Sequence, residues 1–291
     1  MKKRTDSGIP VGGRIVLIIF TYILITGIAQ YIGAIVAGIP SPTKKIIENL
    51  SLRQILILQL FTFFSTILVV FFFRKYVDGK SIMSIGLSLR NRASDLLSGF
   101  FIALFIMGGG FLILYFGKYI QILNVQLHFS KILLNFFILF LAAFEEEIFI
   151  RGYILNNLMD LTNKYIALII SSIIFSLFHI LNFDISWFSL INLFLAGILF
   201  GIIYLFTKNL WLPISLHLFW NFFQGPVFGF SVSGQKFPPV FTINELGSSF
   251  INGGKFGFEG SVLCTIALIL TILLAFLFYK NRFKINIPIR Q

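Results

Sequence analysis

The sequence predicts an all-α protein: a polytopic membrane helical bundle of about eight transmembrane helices, forming a single integral-membrane domain over residues 1–291. Three observations predict it. The 291 residues are 57% hydrophobic and 17% aromatic but only 12% charged, whereas an ordinary soluble domain carries about 25% charged residues. Mean hydropathy is +0.94. The apolar residues gather into eight runs close to the ~20 residues that a bilayer crossing needs, and the charges fall between the runs.

The runs lie near residues 14–38, 52–73, 93–117, 131–158, 165–181, 187–207, 211–229 and 261–279. The fourth is long and turns polar after Glu145, so Asn156, Asn157 and Asp160 are expected to protrude from the bilayer or to line a wet cavity. The seventh is short, entering at Pro213, a residue suited to a helix's first turn, and meeting Gly225-Pro226 soon after. The Gly-, Ser- and Pro-rich connection 231–260 is the one sizeable outer loop. Met1-Lys2-Lys3-Arg4 leads into a long apolar run without a small-residue cleavage site, so no cleaved signal peptide is expected. The single cysteine, Cys264, falls in a predicted span, which excludes an internal disulfide and a cysteine-based zinc site.

Net charge is +12, but the basic residues sit between apolar runs rather than on a soluble face, so no nucleic-acid partner is expected. With the N-terminus inside, cytoplasmic segments hold 14 Lys and Arg: Lys2, Lys3, Arg4, Arg74, Lys75, Lys80, Arg90, Arg92, Lys164, Lys208, Lys280, Arg282, Lys284 and Arg290. Outer segments hold 6: Lys44, Lys45, Lys118, Lys131, Lys236 and Lys255. The positive-inside rule then predicts a multi-pass protein of the plasma membrane with both termini cytoplasmic. Heavy use of Ile, Phe, Leu, Lys and Asn suits an AT-rich bacterial genome.

The chemistry-bearing residues follow residue 140. Glu145-Glu146-Glu147 and Arg151 interrupt the fourth run, where each charge costs roughly 2.5–3.5 kcal/mol at a span centre. Such a cluster marks a functional site by default. Consecutive helical residues point about 100° apart, so the three carboxylates cannot converge. Glu147 and Arg151, spaced i,i+4, can pair on one face, which leaves Glu146 and Glu145 for other work. Phe175 and His179 share a face of the fifth run, and His217 and Asn221 share a face of the seventh. Taken singly, a histidine here reads as a packing residue and an asparagine as helix–helix glue. Two of only three histidines in spans beside a carboxylate cluster read as a site. His128, in an outer connection, is expected only to be solvated.

These groups suit hydrolysis. A carboxylate in apolar surroundings can serve as general base toward water. Neutral imidazoles either bind a metal that acidifies the water or hydrogen-bond it directly, and an Asn amide can donate to a developing oxyanion.

Glu-Glu-x-x-x-Arg at Glu146 to Arg151, Phe-x-x-x-His at Phe175 to His179 and His-x-x-x-Asn at His217 to Asn221 resemble, in order, the three motifs of the CPBP intramembrane proteases. That family takes in CAAX prenyl endopeptidases and bacteriocin-processing or immunity (Abi) proteins. The resemblance spans about residues 130–225, and Phe149-Ile150-Arg151-Gly152-Tyr153 strengthens it. Residues 1–128 and 231–291 carry no usable motif. The resemblance implies that Glu146 is the catalytic base, His179 holds the water, His217 and Asn221 stabilise the oxyanion, and Glu147 with Arg151 shapes the site. Glu145 and Phe175 would support it. It leaves two cofactor states open: zinc on Glu146, His179 and His217, or a metal-free water, with Asn221 favouring the second. The implied partners are the bilayer and a peptide or membrane-protein substrate, such as a bacteriocin precursor. A non-catalytic immunity or binding protein is the alternative reading, and an ion or proton transporter the third. The missing internal repeat counts against the last.

Overall fold

Inside a bilayer every backbone N–H and C=O must find a partner within the protein, and helices satisfy that locally. The computed structural model describes residues 8–39 and 50–285. Lys2, Lys3, Arg4, Lys44, Lys45 and Arg290 of the charge count lie outside the described residues, as do the side chains of Arg282 and Lys284. The long helices are α1 (Val11–Val36), α2 (Leu52–Phe72), α3 (Ala93–Phe116), α4 (Phe129–Glu147), α5 (Lys164–Leu177), α6 (Trp187–Thr207), α7 (Trp211–Phe222) and α8 (Val262–Ile285). They fall on the eight predicted runs. By length and composition five qualify as membrane spans among the described residues: α1, α2 with its extension to Val77, α3, α6 and α8. The other three are α4, which carries the charges, and the short α5 and α7.

Local chemistry sets several boundaries. Ser51 caps α2 in a reciprocal box with Gln54, satisfying otherwise orphaned donors. Ser186 caps α6 by accepting from the Ser189 amide. Beyond Glu147 the α4 ladder widens into a π-helical segment, Ile148–Leu155, and then closes with Asn156–Leu161. Such widenings gather at functional sites. A second one, Phe223–Val227, ends α7 at Pro226, whose missing N–H cannot continue the α ladder.

The all-α expectation needs correction at one end of the bundle. Ile120–Val125 and Phe241–Glu245 form strands β1 and β2, paired antiparallel from Ile120↔Glu245 to Val125↔Phe241. β2 alternates with period two, which suits a strand with one face covered, whereas β1 shifts register between Ile122 and Asn124; the pairing ties the 118–128 and 231–260 connections together. The end of α4 also departs from expectation, because Asn157 is buried and neither protrudes nor lines a wet cavity. Asp78 explains why. Its carboxylate meets Arg14 Nη1 at 3.2 Å and Arg74 Nη1 at 3.1 Å, and accepts from the Tyr153 hydroxyl and the Asn157 amide, both at 3.3 Å. Arg74 also donates to Asn156 at 3.0 Å. One buried ion network therefore binds the start of α1, the end of α2 and the end of α4. Asn156 is half-buried, and Asp160 is exposed and paired with Lys80.

The core lies among α4, α6 and α7, around Tyr153, Leu199, Tyr204 and Leu216, all with no exposed surface. By contrast, Phe20, Phe105 and Phe116 are exposed, as lipid-facing side chains are. Gly197 lets α5 lie close against α6: a Cβ there would stand 2.9 Å from Ser172 Cβ. That approach delivers the end of α5, and His179 with it, toward α4 and α7.

Candidate active site

The three glutamates point three ways, as their 100° spacing requires. Glu145 faces α2, where Gln59 Nε2 donates to it at 3.0 Å. Glu147 faces the interior and has no exposed side-chain surface. Its Oε1 accepts from Arg151 Nη1 at 2.8 Å and from His217 Nδ1 at 3.0 Å. The i,i+4 ion pair expected from the sequence is therefore present, and it also holds the α7 histidine. Arg151 is further enclosed by the Phe175 ring, 4.3 Å from its guanidinium carbon, and by Phe200 at 5.2 Å. Leaving either member of such a pair alone costs more than the pair itself contributes.

Glu146 takes the third direction, into a cavity of about 560 Å³. Its Oε2 is buried without a hydrogen-bond partner. That oxygen lies 3.9 Å from His179 Nε2 and 3.9 Å from His217 Nε2. Backbone and carboxylate contacts fix how the two rings are oriented. His179 Nδ1 sits 2.8 Å from the Phe175 carbonyl oxygen, which can only accept, so Nδ1 carries hydrogen. His217 Nδ1 faces the Arg151-bound Glu147 carboxylate and is assigned its hydrogen for the same reason. When the rings are neutral, both Nε2 lone pairs therefore face the space beside the Glu146 carboxylate. Three acceptors converge there, and they call for a shared donor such as water, an added proton, or a cation.

The donor set, two neutral imidazoles and a carboxylate, is chemically one that zinc accepts in a three-ligand site. Tetrahedral zinc sets neighbouring ligand atoms about 3.3 Å apart, so the two 3.9 Å gaps would have to shorten. Among the described residues no His, Cys, Asp and Glu trio stands at metal-binding spacing. Asn221 lines the same cavity, and its side chain makes no hydrogen bond to a described residue, so its amide is available to a ligand.

All eight residues singled out in the sequence meet here. Glu146, His179, His217 and Asn221 line the cavity with Glu145 and Phe175, while Glu147 and Arg151 lie behind them. Sequence reasoning missed the opposite wall. Tyr22 and Gln30 of α1, Gln59 and Thr62 of α2, and Asn182, Ser233 and Gln235 of two turns also line the cavity. The signal for Gln30 and Gln59 was an uncharged polar residue within an otherwise apolar run. His128 hydrogen-bonds Gln126 at the surface, away from the site. Cys264 is buried and free, as expected.

One carboxylate and two imidazoles, from α4, the turn after α5 and α7, thus meet in one cavity of a helical bundle with apolar spans. Residues 126–223 match the family described as type II CAAX prenyl endopeptidase Rce1-like, in agreement with the CPBP resemblance. The matched stretch is about a third of the chain and contains every candidate catalytic residue. No curated protein matches the chain significantly.

Proposed function

We propose that the protein is an intramembrane endopeptidase in which Glu146 activates a water. The observation that carries this is the unpartnered Glu146 Oε2, 3.9 Å from two histidine Nε2 atoms. A water in that gap donates one hydrogen to Glu146 and the other to His179 Nε2. Glu146 takes the first proton as the water oxygen bonds to the peptide carbonyl carbon. The carbonyl oxygen gains the negative charge and meets the Asn221 amide. His217 can donate there only if Nε2 is protonated while Nδ1 stays on Glu147. The ring is then an imidazolium, and the Glu147 carboxylate balances it. As the C–N bond breaks, Glu146 returns its proton to the leaving amine.

Zinc, if bound by Glu146, His179 and His217, would supply an acidified water at this position. We place α4, α5 and α7 in the bilayer with the five apolar spans, sheathed by them, to make eight helices in all. The charge distribution supports cytoplasmic termini and a bacterial plasma-membrane location. A bacteriocin precursor is one substrate compatible with that setting.

Glu146→Gln tests the reading, since it preserves shape and removes the base. Purified variant should fold and insert as wild type does, while cleaving a peptide library ~10²–10⁴-fold more slowly, the usual worth of a general base. Near-wild-type cleavage would remove Glu146 from the mechanism. Full protection of cells by a cleavage-dead variant would favour the immunity or binding reading.

A further inference from the structure

A second cavity, of about 810 Å³, shares no lining residue with the one at Glu146. It is a groove between α3 and α8. Its floor is apolar and buried: Ile106 of α3, Ile203 of α6 and Leu212 of α7 are each at most 7% exposed. Its walls are Phe101 and Phe105 of α3 and Leu274 and Phe278 of α8, between 57% and 82% exposed. Both walls are helices long and apolar enough to cross a membrane, so the groove opens toward lipid tails. Gly109 lines it, and a Cβ there would meet nothing within 4 Å. No charged side chain is among the described lining residues.

The packing of glycines and rings fixes the direction of the groove. Gly110 of α3 abuts Phe258, just ahead of α8, where a Cβ would stand 2.5 Å from the ring. Toward the other end, Gly99 abuts Ser215 in the first turns of α7, with a Cβ 2.6 Å from Ser215 Cβ, and Tyr279 of α8 stacks on Phe206 of α6 at 5.5 Å. The groove therefore runs from Phe258 to the end where α3 begins and where α6 and α8 finish.

That end is basic. Arg90 stands just ahead of α3, Lys208 directly follows α6, and Lys280 follows Tyr279 on α8; all are exposed. Lys164, at the start of α5, lies over the Phe206 ring at 5.3 Å. Among the described residues no carboxylate pairs with any of these cations, because Asp95 and Asp160 are held by Arg92 and Lys80, each at 3.0 Å.

We propose that the groove between α3 and α8 is a binding site for an anionic phospholipid, its acyl chains along the apolar floor and its phosphate among the cations at the basic end. Charge complementarity chooses this occupant. Basic pockets between spanning helices take acidic headgroups, and a lysine can lay its stem on apolar surface while its ammonium reaches headgroup level. A second copy of the chain would fill the apolar part as well. Two copies in one bilayer share one orientation, however, so their basic ends would meet, and like charges juxtaposed at an interface are costly. Leu212 and Leu216 of α7 line the groove, so a seated chain packs against the helix that carries His217.

The test is native mass spectrometry of full-length protein purified in mild detergent, titrated with phosphatidylglycerol and with phosphatidylcholine of the same acyl chains. Wild type should bind phosphatidylglycerol at least tenfold more tightly than phosphatidylcholine. Gly109→Leu places a side chain where the groove has room for it, and leucine is the better helix former. That variant should keep the thermal midpoint of lipid-free wild type and bind phosphatidylglycerol at least tenfold more weakly. Arg90→Ala with Lys280→Ala, both outside the catalytic machinery, should lower phosphatidylglycerol to the phosphatidylcholine level, and this pair decides if Gly109→Leu does not fold. Equal binding of the two lipids by wild type, binding of neither, or undiminished binding by folded Gly109→Leu overturns the proposal. A headgroup preference that survives the double variant overturns it too. A wild-type dimer that Gly109→Leu converts to monomer would give the groove to a second copy instead. None of these readouts needs turnover, so they stand apart from the endopeptidase reading.

Discussion

Glu147→Gln should damage the protein in two separable ways, because the Glu147 carboxylate oxygen serves two donors. Arg151 has 1% of its side chain exposed and Glu147 none. An amide in place of the carboxylate removes the only negative charge in contact with the buried guanidinium among the described residues. Stranding one member of a buried pair costs roughly 3–5 kcal/mol. The remaining contacts of Arg151, a 3.4 Å approach to the Gly197 carbonyl and the faces of Phe175 and Phe200, offset little of that. The expected outcome is a clear fall in thermal midpoint in detergent and in membrane yield. The second effect is on His217, whose Nδ1 loses a charged acceptor 3.0 Å away. A hydrogen bond to a charged group contributes about 1.5–3 kcal/mol, so turnover per folded molecule should fall roughly 10–100-fold even well below the new midpoint. Adding Arg151→Met removes the stranded charge and should recover part of the stability, but not the turnover, because His217 still lacks its anchor. A double variant no more stable than Glu147→Gln alone would refute the pairing argument. Full recovery of turnover in the double variant would refute the anchoring role.

Asn221→Ala should lower kcat by ~10²–10³-fold, as loss of an oxyanion donor does, with peptide binding little changed; a matching loss of binding would make Asn221 a ground-state contact instead. Asp78→Asn removes the one carboxylate between Arg14 and Arg74 and should destabilise by about 3–5 kcal/mol. Cleavage per folded molecule should stay near wild type, and a selective loss of kcat would tie this network to the chemistry. For the metal, purified protein from zinc-supplemented medium should hold well under one zinc per chain and resist chelation if water alone is held by Glu146 and His179. Stoichiometric zinc that is lost in His217→Ala, with chelator-sensitive activity, would establish the zinc-bound form.

The helices of this protein were legible in the sequence, and so were the residues that gather at the cavity. Hydropathy runs are a local property, so each of the eight helices appears where its run lies. The i,i+4 spacings of Glu147 with Arg151 and His217 with Asn221 are also local, since a helix brings such residues onto one face; His179 instead stands in the turn just past α5, its Nδ1 against the Phe175 carbonyl. What crosses between elements was not legible. No spacing rule says that Glu147 Oε1 accepts from His217, seventy residues away, or that both histidine Nε2 atoms turn to Glu146. The role of Asp78 in burying the end of α4 was hidden likewise, because its partners Arg14, Tyr153 and Asn157 come from different helices. The β1–β2 pair escaped because two short segments over a hundred residues apart give a much weaker signal than a 20-residue apolar run. Helices in a bilayer are determined locally by backbone satisfaction. Which faces meet depends on packing small residues such as Gly197 against neighbours and on pairing buried charges, and those choices exist only in the assembled bundle.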